Sequence, residues 1–377
     1  MVDGATLERL CGGNSTGGSN PPPSANVSGA FRQNPAAAPF SLLVKPAGGA
    51  CNLDCRYCFY KKSHPEGYMS FETAELMLGK YMSLPFGGKS VSLQGGEPLL
   101  ALHTGVFDIV AACGAEKSVQ TNATLVTDGV AERFARENWL VGVSIDGPEP
   151  LNRLRGESFK AAAAGIARLE RAGADCNILC VVSKANVSHP REIYRFLRDA
   201  FSSRCHQYIE CTGPCEGIDA EEWGRFLSGL FDEWIENDAR TLSVRLFDSI
   251  VSRMVCGRPT ICSFSGSCRH HLVVEHDGSV YPCDFYVSPR WKLGNIRDNS
   301  FEEILASPLY AEFASRKTAD LPRECAECEY LEFCMGDCPR NRRSLCAGWR
   351  MFFAHALPRL EELARCTDWS FTRSVQS

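Results

Sequence analysis

The spacing of three cysteines, Cys51-x3-Cys55-x2-Cys58, limits more than any other feature what this chain can fold into. Three thiolates can hold three irons of a four-iron, four-sulfur cluster, and the fourth iron is then left to chelate a small molecule. Alternatively, three close cysteines could belong to a partial zinc site or a redox dithiol. A structural zinc site takes four ligands, often as two C-x2-C pairs, and no second pair lies near this segment.

The segment from Cys51 to Cys58 resembles the cluster loop of the radical S-adenosylmethionine (radical SAM) enzymes. In that family, the amine and carboxylate of S-adenosylmethionine (SAM) bind the open iron. The resemblance implies that an electron from the cluster cleaves SAM and releases a 5'-deoxyadenosyl radical. The protein would mainly supply binding, orientation and the exclusion of side reactions.

Size and composition indicate a globular protein with ample core, since 377 residues suggest roughly two or three domains. The net charge of −5, without a basic cluster, disfavours an obligate nucleic-acid partner. No apolar run reaches the roughly 18 residues of a membrane span, and residues 1–20 show no signal-peptide pattern. We therefore expect no membrane partner. In a long chain without an export signal, the 20 cysteines predict thiolate ligation of metal in a reducing cytoplasm.

From Phe40 onward, short apolar runs alternate with helical patterns, which predicts an α/β fold with a parallel sheet and right-handed crossovers. The predicted strands are Ser41–Lys45, Ser90–Gln94, Val119–Thr121, Val141–Ile145, Cys176–Val182 and Gln207–Cys211. The predicted helices are 70–83, 102–112, 127–137, 158–172, 189–200 and 219–237. Six such units suit a partial (β/α)6 barrel of the TIM type, with its chemistry at the carboxyl ends of the strands.

The sequence Gly95-Gly96-Glu97-Pro98 directly follows the second predicted strand. On its own, such a sequence is usually just a turn. At about 37 residues after the cysteine loop, it resembles the radical SAM motif that binds the SAM amine. The resemblance implies that Gly95 and Gly96 let the backbone approach SAM closely and that Glu97 bonds its ammonium.

The sequence from Ser144 to Pro148 resembles a second radical SAM motif, Ser-x-Asp-Gly-Pro. This resemblance implies cofactor-binding roles for Ser144 and Asp146. The family usually continues with a His-Asp pair and an arginine that grips the SAM carboxylate. Here the pair is missing and the run is one residue short. We predict Arg155 as the carboxylate clamp, because the run Arg153-Leu154-Arg155-Gly156 best fits the end of the family pattern, and Arg153 is the competing candidate. Arginine suits this role because it can form a bidentate fork with a carboxylate.

Two aromatic residues, Tyr57 and Phe59, flank Cys58. An aromatic ring beside the cluster could pack on the adenine of SAM, and both are therefore candidate cofactor-binding residues. The alternative is simple packing within the loop.

A second set of eight cysteines crowds the last third of the chain, and its spacing resembles the SPASM domain, which carries two auxiliary four-iron clusters. The resemblance implies that one auxiliary cluster is ligated by Cys262, Cys268, Cys283 and Cys338. It implies that the other is ligated by Cys325, Cys328, Cys334 and Cys346. Four thiolates for each cluster leave no open iron, so these clusters would move electrons. The alternative is a pair of zinc sites.

The sequence around Tyr281-Pro282-Cys283-Asp284 narrows the resemblance to the anaerobic sulfatase-maturating enzymes, over residues 40 to about 365. Those enzymes oxidise a cysteine or serine of a sulfatase to Cα-formylglycine. The resemblance implies that Asp284 is the catalytic base and that Tyr60 and Gln94 bind the substrate. It also implies three four-iron clusters and SAM as cofactors, an unfolded or nascent sulfatase as substrate, and an external electron donor such as flavodoxin or ferredoxin.

These resemblances predict four segments: a flexible extension (1–38), a radical SAM barrel (39–250), a SPASM domain with two auxiliary clusters (251–348), and a C-terminal helix and tail (349–377). Two other functions stay open at this point. Many SPASM enzymes crosslink or epimerise ribosomal peptides, although residues 1–38 are too polar and short for the peptide-recognition domain that those enzymes usually carry. The other alternative is a zinc-bound interaction module without catalysis.

Overall fold

A ten-stranded sheet is the framework of this protein in the computed structural model, which describes residues 40–61, 63–212 and 216–366. The predicted extension, 1–38, lies outside the described residues. In chain order the strands are β1 Ser41–Val44, β2 Ser90–Leu93, β3 Glu116–Thr121, β4 Leu140–Ser144, β5 Asp175–Val182, β6 Cys205–Glu210, β7 Ser243–Val244, β8 His271–Val274, β9 Ser279–Tyr281 and β10 Gly294–Asn295. The strand order is β10-β9-β8-β1-β2-β3-β4-β5-β6-β7.

Strands β1 to β7 pair in parallel, each with its successor, which confirms the predicted partial barrel. The six predicted strands are present, with ends that differ by a few residues. Strands β7 to β10 were not predicted from the sequence, because they are short or belong to a segment where cysteine spacing dominates the pattern. Since β7 and β10 are the edges of the sheet, the barrel is open.

Helices connect the parallel strands and cover the sheet. They are α1 Phe71–Met82, α2 Val106–Ala112, α3 Asp128–Arg136, α4 Phe159–Ala172, α5 Pro190–Ala200, α6 Ala220–Asn237, α7 Arg245–Cys256, α8 Phe301–Ala306, α9 Pro308–Ala319, α10 Arg323–Ala326, α11 Leu331–Cys334 and α12 Cys346–Cys366. No helix in the described ranges is long and apolar enough to cross a membrane.

Local sequence explains where these helices begin. Ser70, the predicted N-cap of α1, accepts a hydrogen bond from the backbone N–H of Thr73 at 3.2 Å. The helix predicted for 102–112 is divided, because Gly105 has φ of +78° and separates a 3-10 turn, Pro98–Thr104, from α2.

Strand β8 pairs in parallel with β1 and thereby joins the C-terminal strands β8 to β10 to the barrel strands. Leu42 of β1 lies opposite Leu272 of β8, and on its other side opposite Val91 of β2. The segments that follow β1 and β2 therefore leave the sheet at the same end of the strands, which places the first cysteine loop and the Gly-Gly-Glu-Pro turn beside one another. Strand β9 runs antiparallel to β8, so the segment around Asp284, which follows β9, returns to the amino end of β8 and lies beside His271.

The C-terminal helix α12 packs against α6 and α7 through aromatic side chains. Trp223 and Trp349 meet edge to face at 5.7 Å, and Phe247 stacks on Phe352 at 5.5 Å. The helix backbones approach closely at Gly348, where an added Cβ would lie 2.0 Å from the carbonyl oxygen of Ala220. This contact fixes the start of α12, where Cys346 is located. Helix α7 spans residue 250, and the predicted domain boundaries remain predictions.

Candidate active site and cluster-binding segments

The first cysteine loop is tied by backbone hydrogen bonds to the Gly-Gly-Glu-Pro turn. Gly96 N donates to Gly48 O at 2.9 Å, and Glu97 N donates to Ala50 O at 2.8 Å. A Cβ on Gly96 would lie 1.9 Å from the Ala50 oxygen, and Gly95 has φ of +126°. Both glycines are therefore required by the backbone itself, in addition to any role beside a ligand.

Cys51, Cys55 and Cys58 are free, half-buried thiols on this loop. Two sulfurs accept backbone N–H groups, Cys51 from Leu53 and Cys58 from Lys61, each at 3.4 Å. Burial raises the pKa of the Cys55 thiol to about 11, although the charge of Arg155 opposes this. Three adjacent thiolates are therefore stable here only when a bound metal supplies positive charge between them. Three thiolate donors fit a four-iron, four-sulfur cluster with one open iron.

Glu97 is buried at the end of the second strand, and three protein groups donate to its carboxylate. Leu99 N and Thr121 Oγ1 donate to Oε1 at 3.1 and 2.7 Å, and Asn122 N donates to Oε2 at 2.8 Å. A carboxylate offers about four acceptor positions. One position on Oε2 remains for a further donor, such as an ammonium.

The predicted cofactor residues Tyr57, Asp146 and Arg155 form one hydrogen-bonded group. The Tyr57 hydroxyl donates to Asp146 Oδ2 at 2.5 Å, and Arg155 donates to the Tyr57 oxygen at 2.7 Å. Asp146 Oδ1 accepts from Val181 N at 2.9 Å, so both of its oxygens are bonded within the protein. Asp146 therefore holds Tyr57 in place, a contact that the sequence did not predict.

The two candidate arginines differ in burial. They lie on the same 3-10 turn, Arg153–Arg155, but Arg155 is 7% exposed and faces the cysteine loop, whereas Arg153 is exposed to solvent. The buried position of Arg155 beside Tyr57 of the loop is consistent with its predicted role, which stays a prediction.

Ser144 and Gln94 are both half-buried at carboxyl ends of strands. The Ser144 hydroxyl accepts a hydrogen bond from Gln120 Nε2 at 2.9 Å. The backbone N–H of Gln94 donates to Val44 O at 2.9 Å, which aligns the ends of β2 and β1.

Phe59 faces the C-terminal half of the chain. Its ring centroid is 4.7 Å from that of Phe285, and the guanidinium of Arg340 lies 4.2 Å from the Phe285 ring and 5.4 Å from the Phe59 ring. Both rings are about 40% exposed, at 42% for Phe59 and 39% for Phe285. We define this exposed group of Phe59, Phe285 and Arg340 as the aromatic platform.

The predicted base Asp284 forms an ion pair with a buried lysine. Lys45 Nζ lies 3.6 Å from Asp284 Oδ2, and Lys45 is 1% exposed. Burial raises the pKa of Asp284, but the charges of Lys45 and His271 outweigh it and hold that pKa below its ordinary value. Asp284 is therefore ionised at neutral pH and able to accept a proton.

Lys45 also contacts Tyr60, one of the two predicted substrate-binding residues. Its ammonium lies 4.7 Å from the centroid of the Tyr60 ring, and the Tyr60 hydroxyl donates to the Glu275 carboxylate at 2.8 and 2.9 Å. The sequence analysis missed Lys45, Glu275 and Arg340. A lysine that ends the apolar run from Ser41 is a signal that could have identified Lys45, because a buried charge needs a partner.

The eight C-terminal cysteines are free thiols and fall into two groups. Cys325, Cys328, Cys334 and Cys346 line one cavity together with aromatic residues of α12. In the other group, burial raises the pKa of the Cys283 thiol, and nearby charge at Asp284, Cys338 and Cys262 adds to the effect. Burial and the charge of Cys338 likewise raise the pKa of Cys268, although Lys317 opposes them. These groups contain the residues of the two predicted ligand sets, whose role in holding clusters stays a prediction.

The distances between sulfurs distinguish a cluster from a single zinc ion. Zinc–sulfur bonds of about 2.3 Å in a tetrahedral site bring the sulfurs to roughly 3.8 Å from one another. In the part of the chain that the structure describes, the only three ligand atoms within 4.8 Å of one another are from His271, Cys283 and Asp284. No three cysteine sulfurs among these residues are that close, and a four-iron cluster, in which each thiolate binds a separate iron, does not require them to be.

Two family models match the chain. The radical SAM superfamily model matches residues 46–197, and the iron–sulfur cluster-binding SPASM domain model matches residues 262–329.

Curated relatives are similar over most of the chain. The serine-type anaerobic sulfatase-maturating enzyme of Bacteroides thetaiotaomicron is 31% identical, covering 87% of this chain and 92% of that protein. The cysteine-type enzyme of Clostridium perfringens strain 13 is also 31% identical, covering 86% and 98%.

Solved structures show the same likeness. The structure of native anSMEcpe with bound AdoMet and the Cp18Cys peptide matches with a TM-score of 0.81 at 31% identity, over 87% of this chain and 99% of that chain. Streptococcus suis SuiB bound to the precursor peptide SuiA matches with a TM-score of 0.62 at 17% identity, over 80% and 72%. The second likeness shows the fold alone.

Proposed function

This chain belongs to the anaerobic sulfatase-maturating enzymes of the radical SAM superfamily, and on that basis we propose the roles of its residues in oxidising a sulfatase side chain to Cα-formylglycine. The observation that carries this function is the identity of 31% to both serine-type and cysteine-type maturases over nearly the whole chain. Iron–sulfur clusters and SAM are its cofactors. Peptide crosslinking is less supported, because the likeness to SuiB extends only to the fold.

We assign the cofactor site to the first cysteine loop and its neighbours. Cys51, Cys55 and Cys58 would hold the cluster that binds SAM. Glu97 would accept a hydrogen bond from the SAM ammonium at its remaining acceptor position, and Arg155 would pair with the SAM carboxylate. When bound, SAM and the three clusters supply the radical that removes a Cβ hydrogen and the acceptor for the second electron.

The ring of Tyr57 is the aromatic group that we place beside the adenine of SAM. Its hydroxyl is held by Asp146 and Arg155, so the orientation of the ring is set before SAM binds. Ser144 and the turn at Gly95-Gly96 complete the predicted SAM contacts. Phe59 was predicted as a second adenine contact, but its packing on Phe285 favours a role on the substrate side.

Asp284 is the proposed general base for the thiol or hydroxyl of the target residue. The pKa of its carboxyl is low because Lys45 and His271 outweigh the effect of burial, and it is therefore available as a proton acceptor. It precedes Phe285 and follows Cys283, a candidate cluster ligand, so proton removal would occur at the boundary between substrate and cluster. Tyr60 and Gln94 would line the same substrate pocket.

The substrate is a segment of sulfatase polypeptide, and we propose that the aromatic platform receives the residues next to its target side chain. Phe59 and Phe285 offer exposed aromatic area immediately beside the cysteine loop and Asp284. Replacing Phe285 with Leu or Arg340 with Met should raise the KM for a sulfatase-motif peptide roughly 2- to 12-fold, since such ring contacts contribute about 0.5–1.5 kcal/mol.

Peptide-concentration series of initial rates measure this effect, and kcat should change little. The control variant is Leu140→Ala, which removes an exposed apolar side chain at the amino end of β4, a central strand of the sheet. An unchanged KM in both platform variants, or an equal rise in the control, would contradict the proposed docking of the peptide there.

We propose an external electron donor such as flavodoxin or ferredoxin, because the cluster that cleaves SAM must be reduced before each reaction. We also propose a reducing cytoplasm as its location, which suits a chain with 20 cysteines and iron–sulfur clusters.

The function is tested by anaerobic incubation of the reconstituted protein with SAM, a reductant and two sulfatase-motif peptides that differ only in a cysteine or serine at the target position. Mass spectrometry should detect the aldehyde in at least one peptide and none in a third peptide with alanine at that position. SAM cleavage without an aldehyde on either peptide would contradict the function and would reopen the peptide-crosslinking alternative.

A further inference from the structure

A fully buried lysine, Lys317, lies in the last turn of α9. Its ammonium donates hydrogen bonds to the carbonyl oxygen of Ser263 at 2.6 Å and to the carbonyl oxygen of Asp337. Burial lowers the pKa of Lys317, and the charge of Asp337 opposes this effect. Backbone carbonyls satisfy its donors but do not neutralise its charge, so burying this ammonium costs free energy unless an anion lies nearby.

The two carbonyl groups belong to residues that adjoin candidate ligands of one auxiliary cluster. Ser263 follows Cys262, and Asp337 precedes Cys338. Lys317 therefore connects two segments that carry ligands of the same cluster.

Two further charged groups, Asp337 and Arg342, lie close to Lys317. Asp337 is buried, and its carboxylate accepts from Cys338 N at 2.6 Å and from the Trp349 ring nitrogen at 2.9 Å. Arg342 is 7% exposed and donates to the carbonyl oxygens of Gly336, Asp320 and Lys317 at 2.7, 2.9 and 2.6 Å. Two buried cations, Lys317 and Arg342, thus lie close to segments that carry candidate cluster ligands, and positive charge there suits an anionic cluster held by thiolates.

We propose that Lys317 is a positioning residue that raises the reduction potential of the auxiliary cluster held by Cys262, Cys268, Cys283 and Cys338. Reduction adds a negative charge to the cluster, and a fixed cation beside two of its ligands stabilises the reduced form. The cluster would then accept more readily the electron that the substrate radical gives up after loss of its Cβ hydrogen. This inference depends on the ligand assignment in the proposed function.

The test compares Lys317→Met, which removes the charge and keeps an unbranched side chain, with Lys317→Arg, which keeps the charge. The matched control is Lys80→Met. Lys80 also donates to two backbone carbonyls, of Ile296 at 2.6 Å and Asn299 at 2.9 Å, but neither residue adjoins a candidate ligand. Each substitution is made in the full chain, both alone and together with C51A, C55A and C58A, which leaves only the auxiliary clusters.

The measurement is a potentiometric titration of the reconstituted protein followed by electron paramagnetic resonance. In Lys317→Met, one auxiliary cluster should show a more negative midpoint potential, while the other shifts less. Lys317→Arg and Lys80→Met should retain potentials close to those of the parent protein. The iron content should remain at about eight per chain in all variants that lack the first cluster, since cysteines hold the clusters.

Three results would overturn the inference: unchanged potentials in Lys317→Met, an equal shift in Lys317→Arg, or loss of about four irons from Lys317→Met but not from Lys80→Met. The function has its own readout, because the unsubstituted protein either forms the aldehyde or does not. Unchanged potentials in a variant whose parent forms the aldehyde would refute the role of Lys317 and leave the function intact.

Discussion

Replacing Asp284 with Asn should separate SAM cleavage from aldehyde formation. The amide retains the shape of the carboxylate but cannot take a proton from the target residue. A positioned general base contributes about 10²- to 10⁴-fold to a rate, so aldehyde formation should fall by that factor. Formation of 5'-deoxyadenosine should be largely retained, because the residues assigned to SAM lie on the barrel and not on the segment around Asp284.

The ion pair with Lys45 determines a second effect of this substitution. At 3.6 Å, the attraction between Lys45 and Asp284 is about 5 kcal/mol with an effective dielectric constant of ~20. The asparagine variant leaves the buried lysine without its partner, and removing one member of a buried pair typically costs about 3–5 kcal/mol. The variant should therefore unfold at a lower temperature than the parent protein.

The assay measures 5'-deoxyadenosine and aldehyde in the same anaerobic reaction, with thermal unfolding and iron content recorded for each variant. The matched control is Asp277→Asn. Asp277 lies in the same chain segment as Asp284, and its carboxylate accepts hydrogen bonds from the Ser279 amide and hydroxyl, both at 2.9 Å. A folded, iron-loaded Asp284→Asn variant with an unchanged aldehyde rate, or with equal losses of both products, would refute the base assignment.

Three further predictions test the cofactor site and the packing of the chain. Replacing Arg155 with Met should weaken SAM binding by roughly 10- to 100-fold, since a hydrogen bond to a charged group contributes about 1.5–3 kcal/mol. In equilibrium binding assays, Arg153→Met, which changes an exposed side chain, should bind SAM normally. Weaker SAM binding in Arg153→Met than in Arg155→Met would contradict the assignment of Arg155 as the carboxylate clamp. Replacing Cys55 with Ala should lower the iron content from about twelve to about eight and abolish SAM cleavage; retained cleavage would show that the first cluster is misplaced. Replacing Gly348 with Ala should destabilise the protein by about 1–3 kcal/mol, because the added Cβ meets a carbonyl oxygen at 2.0 Å. Gly129→Ala, on an open helix surface, should cost nothing in the same denaturation experiment, and equal effects would refute the packing argument.

The sequence determined the elements whose signals are local. The spacing of Cys51, Cys55 and Cys58 and the motif at Gly95-Gly96 identify the cofactor loop, because both depend on residues only a few positions apart. The alternation of apolar runs and helical patterns predicted the six barrel strands, since a buried parallel strand needs a short continuous apolar run. The cysteine spacing in the last third likewise indicated two ligand sets before any contact was visible.

Tertiary structure alone decided which of these elements meet. The parallel pairing of β8 with β1 brings His271 beside Ser41, about 230 residues earlier in the chain, and thereby sets Asp284 against Lys45. No local pattern encodes that pairing, because it depends on which surfaces remain to be buried after the barrel strands have paired. The burial of Arg155 but not Arg153, the packing of Phe59 on Phe285 and the burial of Lys317 have the same origin. Burial and side-chain packing depend on three-dimensional neighbours, and sequence spacing specifies those neighbours only within a single helix, strand or turn.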